Sequence, residues 1–343
     1  MLVLTHSSTR TRLRSFMKST VRSFVSIHLR STSRTTTFIQ TYMSSIQDAE
    51  ATSGRRYPLN NYKQAFPTSQ PRYATSGFDL HGSVALTPDH DVHGRRRASL
   101  NQFFGRAAVM KVEYVIHREV EKLCKRLEEW KGREPLNINY AYAAVTSDIV
   151  STYLFARPYG VLDTPDFDPK WEDVTLKIAS MAHLFNHFTF IQPVMKLLPR
   201  WLLAKVDERM LGFLNREKIL EEQIQSILDG RNHDNKTNTE HGHGTVFHDI
   251  IFKSKLPPED LEVARLRDEG QGLVAAGAVT TERSLYLITY YLLKNPELLH
   301  TLREELREPM KGYPGMKPKW TDLEKLPYLS AVIQEGFRFG GPY

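Results

Sequence analysis

The chain has 343 residues, 41% apolar and 25% charged, which excludes a fibrous or wholly disordered polypeptide and leaves ample length to bury a core. Its net charge of +7 sits entirely in residues 1–47, where seven Lys and Arg precede the first acid, Asp48, and leave 39 basic against 39 acidic residues beyond. A nucleic-acid-binding body would carry its own basic excess, so no nucleic-acid partner is expected. A single cysteine, Cys124, rules out an intrachain disulfide and fits a reducing or cytosol-facing location.

Residues 1–50 read as a basic tail rich in Ser, Thr and Arg, with the composition of a mitochondrial transit peptide, a disordered segment or a mispredicted start. Residues 51–88 read as irregular structure. From Pro88 onward the pattern is mostly helical. Val112, Val115, Ile116, Val120, Leu123, Leu127 and Trp130 recur at three- and four-residue steps and form one apolar stripe, with Cys124 beside it as a small core side chain. A second, more apolar helix is expected over 136–156, ending before Arg157-Pro158. Further helices are expected over 171–229, broken near Pro193 and Pro199.

Residues 229–248 are polar and contain His233, His241, His243 and His248. No cysteine accompanies them and no helical spacing fixes a pair, so a solvated linker is expected rather than a metal site. Asn235-Lys236-Thr237 is a glycosylation sequon without a secretory signal to make it meaningful. After Pro257-Pro258 the longest helical pattern runs from Glu259 to Lys294, spanning roughly 50 Å. Its middle, Leu273 to Val279, has no charged face and is expected to be buried. Helices over 296–307 and 328–339 follow. No stretch approaches the length of uninterrupted apolar sequence that crosses a membrane. The fold class is mainly α, with one long central helix and few strands.

Three clusters carry chemical interest. Ala275-Ala276-Gly277-Ala278-Val279-Thr280-Thr281 puts small side chains and two hydroxyls in the long helix, which suits either tight helix packing or close approach of a ligand. Glu335 and Arg338, three apart, share a helical face and form a surface pair or a buried, mutually satisfied one. His93 and Arg97, four apart, also share a face and suit an anionic group, unless that face is merely solvated.

In order and spacing these clusters resemble the cytochrome P450 family, in particular its fungal membrane-type members. The intervening Asn295-Pro296-Glu297, Arg303-Glu304-Glu305-Leu306 and Leu323-Glu324-Lys325-Leu326-Pro327-Tyr328 match as well, and the resemblance covers residues 75–343. It implies that residues 51–343 form part of a haem domain. His93 and Arg97 would hold the propionates of haem b, with Ala276 and Gly277 beside the cofactor. Thr280 would be the catalytic hydroxyl, and Glu335 and Arg338 a structural pair. It implies insertion of one oxygen atom from dioxygen into an apolar small molecule, with electrons from an NADPH-dependent flavoprotein reductase. The implied location is the cytosolic face of the endoplasmic reticulum membrane, with mitochondrial and cytoplasmic alternatives; association with the membrane is implied without an anchor in this sequence.

Two departures stand out. The family's axial cysteine lies in a loop beyond the Glu-x-x-Arg helix; the sequence ends at Tyr343, and the flanks of Cys124 match a remote helix instead. No metal ligand is therefore assigned. Haem retention and normal turnover are not expected of these residues alone, and a non-catalytic helical binding protein is the alternative. Val279 stands where the family usually carries an acid before the threonine.

Overall fold

A computed structural model describes residues 80–188, 190–206, 208–232, 245–313 and 315–340. The tail at 1–50, residues 51–79, His233, Asn235, His241 and His243 lie outside them. Twelve α-helices and no strand occur among the described residues. They are α1 (His90–Asn101), α2 (Arg106–Glu129), α3 (Ile138–Phe155), α4 (Pro169–His187), α5 (Ile191–Leu197), α6 (Arg200–Val206), α7 (Glu208–Leu228), α8 (Val246–Lys253), α9 (Val263–Lys294), α10 (Pro296–Arg307), α11 (Trp320–Leu323) and α12 (Pro327–Gly340).

The helix boundaries follow local chemistry. The Asp89 side chain accepts the backbone N–H groups of Asp91 and Val92 and starts α1. The Asn137 side chain accepts the N–H of Asn139 and starts α3. Helix α3 ends on Ala156 in the left-handed region, φ 66°, just before Pro158, which disfavours a helical Arg157. Pro193 lies in the first turn of α5, where a missing N–H costs nothing. The chain breaks instead at Leu198, whose extended backbone precedes Pro199.

The described residues fall into two compact units, 109–172 with 274–340 and 80–108 with 173–273. In the first, the α2 stripe packs as its spacing predicts: Ile116, Val120, Leu123 and Cys124 join a core with Tyr142, Val145 and Ile149 of α3. Leu285, Ile288 and Leu292 of α9, Leu299 and Leu302 of α10, and Leu329 and Ile333 of α12 complete it. Polar anchors fix the connections. Both carboxylate oxygens of Glu305 accept backbone N–H groups at the start of α12, from Tyr328 at 2.9 Å and Leu329 at 2.7 Å. Glu113 accepts the N–H of Trp320 at 2.7 Å at the start of α11.

One glycine in this core is sterically required. A Cβ on Gly336 would lie 2.2 Å from both Cγ1 and Cδ1 of Ile288. Gly336→Ala gains about 1 kcal/mol of helix propensity, but overpacking of this kind costs about 1–3 kcal/mol. The expected net result in urea unfolding is a loss of about 1 kcal/mol that Ile288→Val partly restores. Independent, additive effects of the two substitutions would contradict this contact.

The second unit contains α1, most of α4, α5 to α8 and the first turns of α9. Leu220, Ile224 and Ile227 of α7 and Val246, Phe247 and Ile250 of α8 are buried in it. His248 is buried too and pairs through Nδ1 with the Thr245 hydroxyl, a side-chain contact across the first turn of α8.

Two expectations for the long helix need correction. It begins at Val263, not Glu259: Pro258–Leu261 form a 3-10 turn and Glu262 is extended. Pro257 and Pro258 restrict the backbone there, and Asp260 is drawn into ion pairs with Arg95 and Arg96. The stretch Leu273–Val279 is mostly half-buried; Ala278 is buried and Ala275 is exposed. An uncharged face tolerates burial without guaranteeing a partner, and here a close neighbour, Val150, is seen at Gly277.

Candidate functional site

In the second unit, residues Leu80–Leu86 run over the first turns of α9 and lead into α1. Gly82 donates its N–H to Asp268 Oδ2 at 3.0 Å, and Val84 donates to Glu269 Oε2 at 3.1 Å. A Cβ at Gly82 would stand 2.9 Å from Asp268 Oδ2 and 3.0 Å from the Arg265 Cα, so only glycine lets the two backbones approach this closely. Arg96 ties the same segment to α1, donating to the Gly82 carbonyl at 3.2 Å and to the Thr87 hydroxyl at 2.9 Å.

The three consecutive arginines of α1 then have different fates. Arg95 and Arg96 both pair with the fully buried Asp260, at 2.8 and 2.7 Å. Burial disfavours the Asp260 charge, but hydrogen bonds from Arg96 and Arg95 outweigh it and hold its pKa below the ordinary value. Arg97 is half-buried and makes no hydrogen bond or ion pair among the described residues. His93, one turn before it, forms a 2.9 Å hydrogen bond between Nδ1 and the Val84 carbonyl. A carbonyl only accepts, so Nδ1 carries the proton and Nε2 is left to face another group. His93 and Arg97 thus offer one ring nitrogen and one guanidinium on the same face of α1.

The first unit holds the small-residue stretch of α9. Thr280 donates its hydroxyl to the Ala276 carbonyl at 2.8 Å, and Thr281 donates to the Gly277 carbonyl at 2.6 Å. A Cβ on Gly277 would come 2.9 Å from Cγ2 of Val150. Close packing of α3 against α9 therefore accounts for that glycine. Val279 is half-buried, with no acid beside Thr280. The buried acid nearby is Glu282, 4% exposed, whose carboxyl is pushed up to about 9 by burial and then by the charge of Glu172. Glu335 and Arg338 pair at 2.8 Å on α12, but both side chains are more than half exposed. Such a pair contributes little stability on its own.

The structure thus places His93 and Arg97 together on α1, and Ala276, Gly277 and Thr280 together on α9. Sequence reasoning missed Asp260, Glu269 and Glu282. The four-residue spacing of Arg265 and Glu269, which puts them on one face of the long helix, was the available signal for one of them. Cys124 is buried in the α2 core. Among the described residues there is no group of three or more His, Cys, Asp or Glu able to hold a metal, and no helix is long and apolar enough to cross a membrane.

The sequence profile of the Cytochrome P450 family matches residues 58–342. The chain belongs to the cytochrome P450 family. It is 36% identical over 262 residues to a cytochrome P450 monooxygenase of Ascocoryne sarcoides, covering 74% of this chain and 50% of that protein. It is 31% identical to a tryptophan 6-hydroxylase of Fusarium equiseti, covering 83% and 55%. Against a fusicoccadiene C-8 hydroxylase of Phomopsis amygdali it is 32% identical, covering 76% and 51%. This cytochrome P450 chain spans about half the length of the curated relatives it matches. A crystal structure of a cytochrome P450 shares the fold with a TM-score of 0.57 at 16% identity, covering 79% of this chain and 55% of the other.

Proposed function

We propose that this chain is part of a haem-dependent monooxygenase that inserts one atom of dioxygen into an apolar small molecule, with electrons supplied by an NADPH-dependent flavoprotein reductase. The observation that carries the cofactor side of this reading is Arg97, a half-buried guanidinium without a partner among the described residues. A guanidinium held half out of water favours an anionic partner, and a porphyrin propionate has the charge and planar shape to meet it. His93 fits the same group as an imidazolium: with Nδ1–H committed to the Val84 carbonyl, Nε2 carries the second proton that donates to a carboxylate, which only accepts.

Haem, when bound, supplies dioxygen activation and electron transfer. The residues of this chain bind, orient and handle protons. Arg97 and His93 would hold the propionates. Ala276 and Gly277 keep side-chain bulk off α9, although the Gly277 position is equally explained by Val150. Thr280 holds a proton at Oγ, directed onto the Ala276 carbonyl. With Val279 in the preceding position, that proton is not replenished from an adjacent carboxylate. Glu335 and Arg338 form the structural pair of α12. Cys124, enclosed by the α2 core, does not serve as the axial thiolate. The cytosolic face of the endoplasmic reticulum membrane is the location this function suits, as a reductase-coupled enzyme with apolar substrates.

The test is haem content of the protein expressed from its full natural reading frame, with and without Arg97→Ala. Loss of one charge-assisted contact to a propionate predicts haem affinity lower by about tenfold to a hundredfold. Undiminished haem affinity in both Arg97→Ala and His93→Ala would overturn the assignment.

A further inference from the structure

Val84 joins two side chains that have no other direct link. Its N–H donates to Glu269 Oε2 at 3.1 Å, and its carbonyl accepts from His93 Nδ1 at 2.9 Å. Free neutral histidine favours the proton on Nε2, so the Val84 carbonyl must stay in place to hold the opposite tautomer. What holds Val84 is Glu269. The residue is buried, with Arg265 one turn earlier donating Nη2 to the same Oε2 at 2.6 Å.

We propose that Glu269 is a positioning residue for His93, acting through the backbone of Val84 to fix which ring nitrogen carries the proton. The inference deepens the reading of His93 as a propionate contact: holding the first proton on Nδ1 keeps Nε2 as the atom where a second proton joins when a carboxylate binds, and the chemistry lies wholly within residues 82–97 and the first turns of α9.

The charged groups around Glu269 set how firmly it acts. Arg265 on its own helix and Arg96 from α1 favour the carboxylate, and Asp268 disfavours it; the facing segment Leu80–Leu86 contributes the Val84 N–H. Burial outweighs the favourable contacts and pushes the carboxyl up to about 7. Above that pH the carboxylate accepts a strong charge-assisted bond from Val84, and below it the neutral acid accepts a weaker one. Protonation also removes the anion from Arg265, whose Nε and Nη1 are already buried without hydrogen-bond partners. The clamp therefore tightens as pH rises through neutrality. Asp268 holds Gly82 by a separate bond and provides an internal control.

The experiment is nitrogen NMR of the histidine-labelled full chain, prepared without haem, with His93 assigned through His93→Gln. At pH 8 the wild type is expected to show His93 with its proton on Nδ1. Glu269→Gln is expected to lose that signature and become an exchanging mixture, whereas Asp268→Asn keeps it. Hydrogen exchange of the Val84 amide adds a second readout: its protection falls about tenfold in the wild type between pH 8 and pH 6, and shows no such fall in Glu269→Gln. If Glu269→Gln does not fold, Val84→Pro removes the same N–H at the first position of a 3-10 turn, where proline is tolerated, and should release His93 likewise. A wild-type His93 with its proton on Nε2, or an unchanged Nδ1 signature in both variants, overturns the proposal. A chain that takes up no haem yet gives the expected NMR result leaves this inference standing and sinks the propionate assignment alone.

Discussion

Replacing Asp148 by alanine will destabilise the protein by about 3 kcal/mol at neutral pH, because it leaves two buried backbone donors without an acceptor. Asp148 lies fully buried on α3, and its two carboxylate oxygens accept the N–H groups of Val161 and Leu162 at 3.1 and 3.0 Å. Those residues open a 3-10 turn, and their own side chains are in the core. Water cannot replace the lost acceptor at such a site. The pH dependence distinguishes this account from generic loss of packing. Burial pushes the carboxyl up to about 6, although the hydrogen bonds from Leu162 and Val161 pull it down. The folded state therefore prefers the protonated acid, and this contribution is present below the ordinary value near 4 and is lost as pH rises through 6. Alanine has no proton to take up. Urea unfolding should show a larger gap between wild type and Asp148→Ala at pH 4 than at pH 7. An equal gap at both would show that the carboxyl is not perturbed.

Glu282→Gln will have the opposite effect and stabilise the chain. Glu282 and Glu172 are each 4% exposed and lie in one another's field. Two carboxylates cannot both ionise cheaply in such a place, so the folded chain retains a proton on Glu282 that the unfolded chain releases. Stability is fully retained below the unfolded pKa near 4.5 and falls as pH rises toward about 9, by about 1.4 kcal/mol per pH unit for one proton. Glutamine imitates the protonated acid and removes that slope. Thermal unfolding from pH 5 to pH 8.5 should show the two proteins converging at acid pH and separating above it, the variant being the more stable. Parallel curves would mean that Glu282 is ionised in the folded state.

These two carboxyls mark where sequence reading ran out. The apolar stripe from Val112 to Trp130 predicted a helix and its buried face because every third or fourth residue had the same need to leave water. The stop before Pro158 and the helices after Pro296 and Pro327 were legible for similar reasons, as each depends on residues adjacent in sequence. Asp148 looked like one more polar residue in an apolar helix. Its role depends on a turn that lies thirteen residues away and presents two N–H groups to it. Glu282 could not be distinguished from a solvated acid, since nothing local announces Glu172. The candidate site divides in the same way. His93, Arg97, Ala276, Gly277 and Thr280 were visible through spacing and family resemblance. The splitting of Arg95 and Arg96 from Arg97 was not, because it depends on Asp260, more than 160 residues onward.

The hydrogen bond from Thr280 to the Ala276 carbonyl limits what that side chain can do at any instant. A hydroxyl has one hydrogen, and here it is spent on the helix. Only the lone pairs of the oxygen face outward, so at rest Thr280 is an acceptor. To donate, it must rotate away from the carbonyl, which still keeps its ordinary backbone partner in the α-helix. The net cost of giving up such a bond is about 1 kcal/mol, a population of roughly one molecule in five to ten. Threonine at this position is therefore a two-position rotor with a small bias, and a guest that offers a better acceptor than a peptide oxygen is enough to turn it.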